Sequence, residues 1–202
     1  MDSPFVRRVA ISLEMLGIDY HHRELSIFRD FDEFHSINPL VKVPTMILDN
    51  GQVLVDSSLI INYLETQVAK RSLMPEDPVA YRHATQQIGV ALVAMEKTAA
   101  LIYETGQRPP ERQHQAWIDR LQTQLKGAVD LMESAVSNSA AAGNKWLLEA
   151  ELGQADITTA VAWRFTQHVD SADIQAIDYP ALLEFSIQAE KLPEFQACPL
   201  NG

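Results

Sequence analysis

Apolar residues recur at helical spacing in the opening segment PFVRRVAISLEML, where Phe5, Val9, Leu13 and Leu16 mark one face of a helix over residues 4–16. Ser3 fits the N-cap, Pro4 the first turn and Gly17 the C-terminal stop. The alternation in IDYHHREL predicts a strand over 18–25, and a weaker helical pattern follows around Phe28 to Phe34. Asn38-Pro39 breaks the chain. VPTMIL and QVLV then flank Asp49-Asn50-Gly51, which reads as a β-hairpin. Asp56-Ser57 caps a helix in SSLIINYLETQV, whose Ile60, Ile61 and Leu64 can pack back on the sheet.

The pattern changes in LMPEDPVAYR, which has two prolines and no strand-like alternation. A linker over 71–80 is expected to separate an α/β domain, 1–70, from a second domain, 81–202. The remainder predicts helices at about 78–105, 110–137, 154–169 and 179–191. An α/β third followed by an all-helical two-thirds is a restrictive layout.

At 202 residues and 47% hydrophobic, the chain can bury a substantial core. Its formal net charge of −11, from 27 acidic and 16 basic residues, argues against a nucleic-acid partner. No apolar run approaches the roughly 20 residues that span a bilayer, and no charged-then-apolar leader opens the chain. A soluble, cytoplasmic protein with no membrane partner is expected. Cys198, the single cysteine, excludes an internal disulfide and any multi-cysteine metal site. His21 and His22 would face opposite ways on a strand and form no metal spacing with His35, so no metal is expected.

Three segments place free backbone groups at element ends. Ser3-Pro4-Phe5 sets a hydroxyl at a helix N-terminus, where hydroxyl and dipole would both stabilise a thiolate. Lys42-Val43-Pro44 opens a strand with a proline. A cis bond there would turn the Val43 backbone groups outward to pair with an extended peptide, and Lys42 would meet a carboxylate. Asp56-Ser57 starts the next helix and suits a zwitterionic peptide end. Each segment also has a plain structural reading, as an N-cap serine, an ordinary trans proline and a helix cap.

Together, SPFVRRVAISLEMLGIDY and NPLVKVPTMILDNGQVLVDSSLIINYLE closely resemble the thioredoxin-like domain of soluble glutathione transferases, in the serine-type branch that includes the plant tau class and many bacterial members. LGQADITTAVAWRF resembles the helix-start motif of the family's helical domain, and KLPEFQACPL resembles its closing phrase. The resemblance implies a thioredoxin-like domain followed by an all-helical domain. It makes Ser3 the hydroxyl that activates the glutathione thiol, Val43 before cis-Pro44 the backbone partner of the cysteinyl part, and Lys42 the contact of the glycyl carboxylate. Asp56 and Ser57 would hold the γ-glutamyl end. Met95, Ala99 and Tyr103, at i, i+4 and i+8 on the first long helix of the second domain, would line the pocket for an apolar electrophile. A glutathione transferase that works as a homodimer is implied, with peroxidase, dehalogenase and isomerase chemistry as variants. A catalytically weak binding or regulatory relative is the alternative. Thiol-disulfide exchange would need a cysteine where Ser3 stands.

Two departures stand out. Family members place a β-strand before the serine turn, whereas only Met1 and Asp2 precede Ser3, a span of under about 8 Å. The first strand is therefore expected to be missing from this chain. Gly153 stands where the family usually has Ser or Thr as an N-cap, although Asp156 of the capping box is kept and reads as structural.

Overall fold

The computed structural model describes residues 1–68, 72–148, 151–169 and 174–200. The chain divides into two compact units, one of Met1–Ser72 with Pro193–Gly202 and one of Leu73–Leu192. The last ten residues, expected in the helical domain, thus cluster with the N-terminal unit.

In the first unit, α1 spans Pro4–Leu16 and ends on Gly17, whose φ of +67° suits a residue without a Cβ. The Gly17 and Ile18 N–H groups close the last turn on the Glu14 and Leu13 carbonyls, at 3.1 and 3.0 Å. The sequence pattern marks one apolar face, yet every residue from Arg7 to Leu13 is buried. Two arginines therefore lie inside, each held by hydrogen bonds. Arg7 Nε donates to the Cys198 carbonyl at 2.7 Å, and its guanidinium lies 5.7 Å from the Phe195 ring centroid. These contacts bind α8 (Pro193–Ala197), a short helix with too few turns to register as a period, against α1. Cys198 is fully buried beneath Tyr20, whose hydroxyl lies 3.5 Å from its sulfur.

The predicted strand over 18–25 is not formed. A strand exists only through a neighbouring ladder, and here the backbone contributes only Ile18 N–H to Leu13 and Leu25 N–H to Arg23 among the described residues. The second helix, α2, begins later than its pattern suggests, at Phe31–Ile37. Residues 26–30 are taken by a turn in which Ser26 N–H donates to Asp30 Oδ2 at 2.8 Å and Ser26 Oγ accepts from Phe28 and Arg29. The hairpin forms as expected. Strands β1 (Thr45–Ile47) and β2 (Val53–Val55) pair antiparallel with Met46 opposite Leu54, and Gly51 closes the loop at φ +82°. They are the two strands of the sheet among the described residues. Helix α3 (Ser57–Glu65) follows and buries Ile60, Ile61 and Leu64.

The second unit contains α4 (Pro78–Ile102), α5 (Gln115–Ala141), α6 (Gln154–Val169) and α7 (Pro180–Ala189). Helix α4 gives way at Tyr103–Gln107 to one π-helical turn. Buried Glu104 ties that turn down, accepting from His114 N–H and pairing with Arg108, both at 3.0 Å. Helix α5 starts five residues after the pattern suggests because Pro110–Arg112 forms a separate 3-10 turn. Helix α6 is the core element, with Ile157, Ala160, Val161, Ala162 and Trp163 all essentially inaccessible. It packs on both α4 and α7.

The glycine at the start of α6 has a steric cause. A Cβ on Gly153 would stand 2.9 Å from the Leu73 carbonyl oxygen, which itself accepts from Gln154 N–H at 2.7 Å. Serine is the better N-cap in general, but here it meets backbone. Gly153→Ser is expected to destabilise the protein by about 1–3 kcal/mol in urea unfolding. A rise in the unfolding midpoint would mean that the Leu73 carbonyl yields.

Candidate functional site

All three segments of interest lie in the first unit. Ser3 is the N-cap of α1 by backbone geometry, with φ −89° and ψ 126°, yet its hydroxyl makes no capping bond. Its carbonyl accepts from Arg7 N–H at 3.0 Å, so only the backbone serves the helix. The hydroxyl is half-buried and remains available at the positive end of the helix.

The turn before the hairpin is organised by buried Asn38. Its amide donates to Thr45 Oγ1 at 2.8 Å, its carbonyl oxygen accepts from Leu40 N–H at 3.0 Å, and Thr45 Oγ1 donates to the Lys42 carbonyl at 2.6 Å. Val41 closes this turn at φ +45°, an unusual conformation for a β-branched residue. The Val43-Pro44 bond is cis. Val43 N–H and C=O find no hydrogen-bond partner among the described residues, and Lys42 is exposed.

Asp56 also has positive φ, +72°, and caps α3. Its Oδ1 accepts from Ser58 and Leu59 N–H at 2.9 and 3.2 Å, leaving Oδ2 without a bond among the described residues. Ser57 is buried, and its N–H has no hydrogen-bond partner among the described residues. Behind it lies a residue that motif reasoning passed over. Arg8, 1% exposed, donates through Nη1 to both Ser57 Oγ and Ser58 Oγ at 3.1 Å. Burial pushes its pKa down to about 10, opposed by the Asp56 carboxylate, so the guanidinium stays charged at neutral pH. Arg8 ties α3 to α1, the helix whose start carries Ser3 five residues earlier, roughly 7 Å along the axis. The signal in the sequence is an arginine pair set inside an apolar helical run.

The candidate second-substrate residues lie in the other unit and differ in exposure. Met95 is fully buried in the core, Ala99 is half-buried and Tyr103 is 48% exposed. Tyr103 N–H still bonds to the Ala99 carbonyl, so Tyr103 follows Met95 and Ala99 at α-helical spacing, and the winding turns π-helical from there onward.

A thioredoxin-like unit with this turn, hairpin and capped helix, joined to an all-helical unit, is the glutathione transferase fold. Residues 1–72 match the family described as "Glutathione S-transferase, N-terminal domain". A probable maleylacetoacetate isomerase 1 of Drosophila melanogaster is 28% identical over 199 residues, covering 94% of this chain and 75% of that protein. A glutathione transferase family member of Pseudomonas fluorescens, solved with bound glutathione, superposes with a TM-score of 0.80 at 25% identity over 99% of this chain and 96% of that one. A glutathione S-transferase of Methylobacterium radiotolerans, solved with glutathione sulfonate, reaches a TM-score of 0.88 at 21% identity, over 99% and 92%. Residues 1–72 thus match the glutathione S-transferase N-terminal domain, and the chain as a whole has the glutathione transferase fold.

Proposed function

We propose that the protein binds glutathione in its first unit and directs the thiolate at an electrophilic carbon of an apolar substrate. The observation that carries this reading is the Ser3 hydroxyl, held at a helix N-terminus and unused by the helix it caps. It would donate one hydrogen bond to the glutathione thiolate, and the α1 dipole would favour the same charge. The unpaired Val43 N–H and C=O suit the cysteinyl backbone as strand addition does. Lys42 suits the glycyl carboxylate. Ser57 suits the γ-glutamyl carboxylate, and the open Oδ2 of Asp56 suits the adjacent ammonium.

The same thiolate supports two outcomes. Attack at a carbon bearing a leaving group forms the C–S bond and expels the anion. Addition to an activated double bond, rotation and expulsion of the thiolate isomerises it. The Drosophila relative's name favours testing the second on this chain. Tyr103, exposed at the π turn, and Ala99 are the remaining candidates to face the second substrate. A cytoplasmic homodimer in detoxification is the broader setting of this reading, and light scattering tests the dimer.

The experiment is calorimetric titration with glutathione, followed by turnover of chlorodinitrobenzene and of a cis-configured activated diacid. Binding with a KM between about 1 µM and 1 mM and measurable turnover of either substrate are expected. Binding without turnover would leave a regulatory glutathione-binding protein. No binding would end the proposal.

A further inference from the structure

The guanidinium of Arg8 is buried, and it forms no ion pair among the described residues; its Nε has no hydrogen-bond partner there. Such a cation is costly unless something nearby uses its field. Its two bonds carry directional information. A guanidinium only donates, whereas a hydroxyl has one hydrogen and two lone pairs. Nη1 donates to both Ser57 Oγ and Ser58 Oγ, so a lone pair on each is occupied and each hydroxyl hydrogen must point elsewhere. Ser57 N–H, at the start of the nine-residue α3, also has no partner among the described residues. The result is a set of donors backed by the guanidinium, at the helix end that the Asp56 carboxylate caps through Oδ1.

We propose that Arg8 is a positioning residue for anion recognition: it orients the Ser57 and Ser58 hydroxyls as donors toward the γ-glutamyl α-carboxylate without touching the ligand. This rests on the glutathione reading above and adds to it a group outside all three ligand-facing segments. Arg8 acts on one carboxylate of the tripeptide and leaves the thiol chemistry alone. The charge-assisted nature of the relay sets the size of the effect.

The test compares two ligands by calorimetry, glutathione and γ-aminobutyryl-cysteinyl-glycine, which lacks that carboxylate. Arg8→Met is expected to weaken glutathione by about 10–100-fold and the analogue by less than about threefold. The KM for glutathione should rise accordingly while kcat at saturation stays within about threefold. Arg8→Lys keeps the charge but not the planar guanidinium that reaches both serine hydroxyls, and should fall between Met and the unsubstituted protein. Should Arg8→Met not fold by circular dichroism, Arg8→Lys and Arg8→Gln carry the same comparison. Equal loss for both ligands in every folded variant would make Arg8 merely structural and overturn the proposal. Failure of the unsubstituted protein to bind glutathione would instead overturn the glutathione reading, and this role with it.

Discussion

Replacing Ser3 with alanine is expected to lower glutathione-dependent turnover by about 100-fold, equivalent to about 2.7 kcal/mol of transition-state stabilisation. The prediction is selective because of how Ser3 is used. An N-cap serine whose side chain serves its helix costs about 1 kcal/mol when truncated. Here the hydroxyl makes no capping bond, and the carbonyl that bonds Arg7 N–H survives the substitution. Stability should therefore change by well under about 1 kcal/mol in urea unfolding. Glutathione affinity should also hold, since the proposed clamps lie at Lys42–Val43 and Asp56–Ser57. The expected signature is a fall in kcat and a rise in the pKa of the bound thiol, followed through its ultraviolet thiolate absorbance. Unchanged turnover would remove Ser3 from the mechanism. A parallel loss of stability would mean that the serine is a cap after all.

Elements with strong local punctuation were legible in the sequence. Helix α1 carries Pro4 at its start and Gly17 at its end, the hairpin carries Asn50-Gly51, and α6 matches its expected span of 154–169. What failed depends on contacts remote in sequence. IDYHHREL has the alternation of a strand, but strand formation requires a partner ladder that no local pattern reports. Helix α8 has five residues, less than two turns, and is held by Arg7 from the other end of the chain. The arginine pair illustrates the same limit within the site. Nothing in the apolar spacing of α1 marks Arg7 and Arg8 as buried, because burial of a guanidinium is decided by acceptors elsewhere: the Cys198 carbonyl for one, two serine hydroxyls for the other. Segment positions were recoverable from motif order, whereas the cation that backs Ser57 needed the fold.

Removing the Asp156 carboxylate is expected to cost about 3–6 kcal/mol, the largest stability effect of the substitutions considered. Asp156 is 2% exposed, and its two oxygens serve different segments. Oδ2 accepts from Gly153 N–H at 2.9 Å, closing the first turn of α6, and Oδ1 accepts from Leu147 N–H at 2.8 Å, nine residues upstream. The same upstream segment is held from α5, where Ser139 Oγ lies 2.7 Å from the Trp146 carbonyl and 3.1 Å from that of Leu147. Asp156 thus joins the end of α5 to the start of the most buried helix of its unit. In Asp156→Ala both N–H groups lose a charged acceptor in a site closed to water, at about 1.5–3 kcal/mol each. Against a typical total of 5–15 kcal/mol, that loss brings the unit close to unfolding at 37 °C. Asp156→Asn keeps one acceptor oxygen and turns a donor toward the other N–H, so it should recover less than half of the loss. Urea unfolding of the two variants separates the cases. Equal, small effects for Ala and Asn, below about 1 kcal/mol, would mean that the glycine cap and the Leu73 carbonyl hold the start of α6 without the carboxylate.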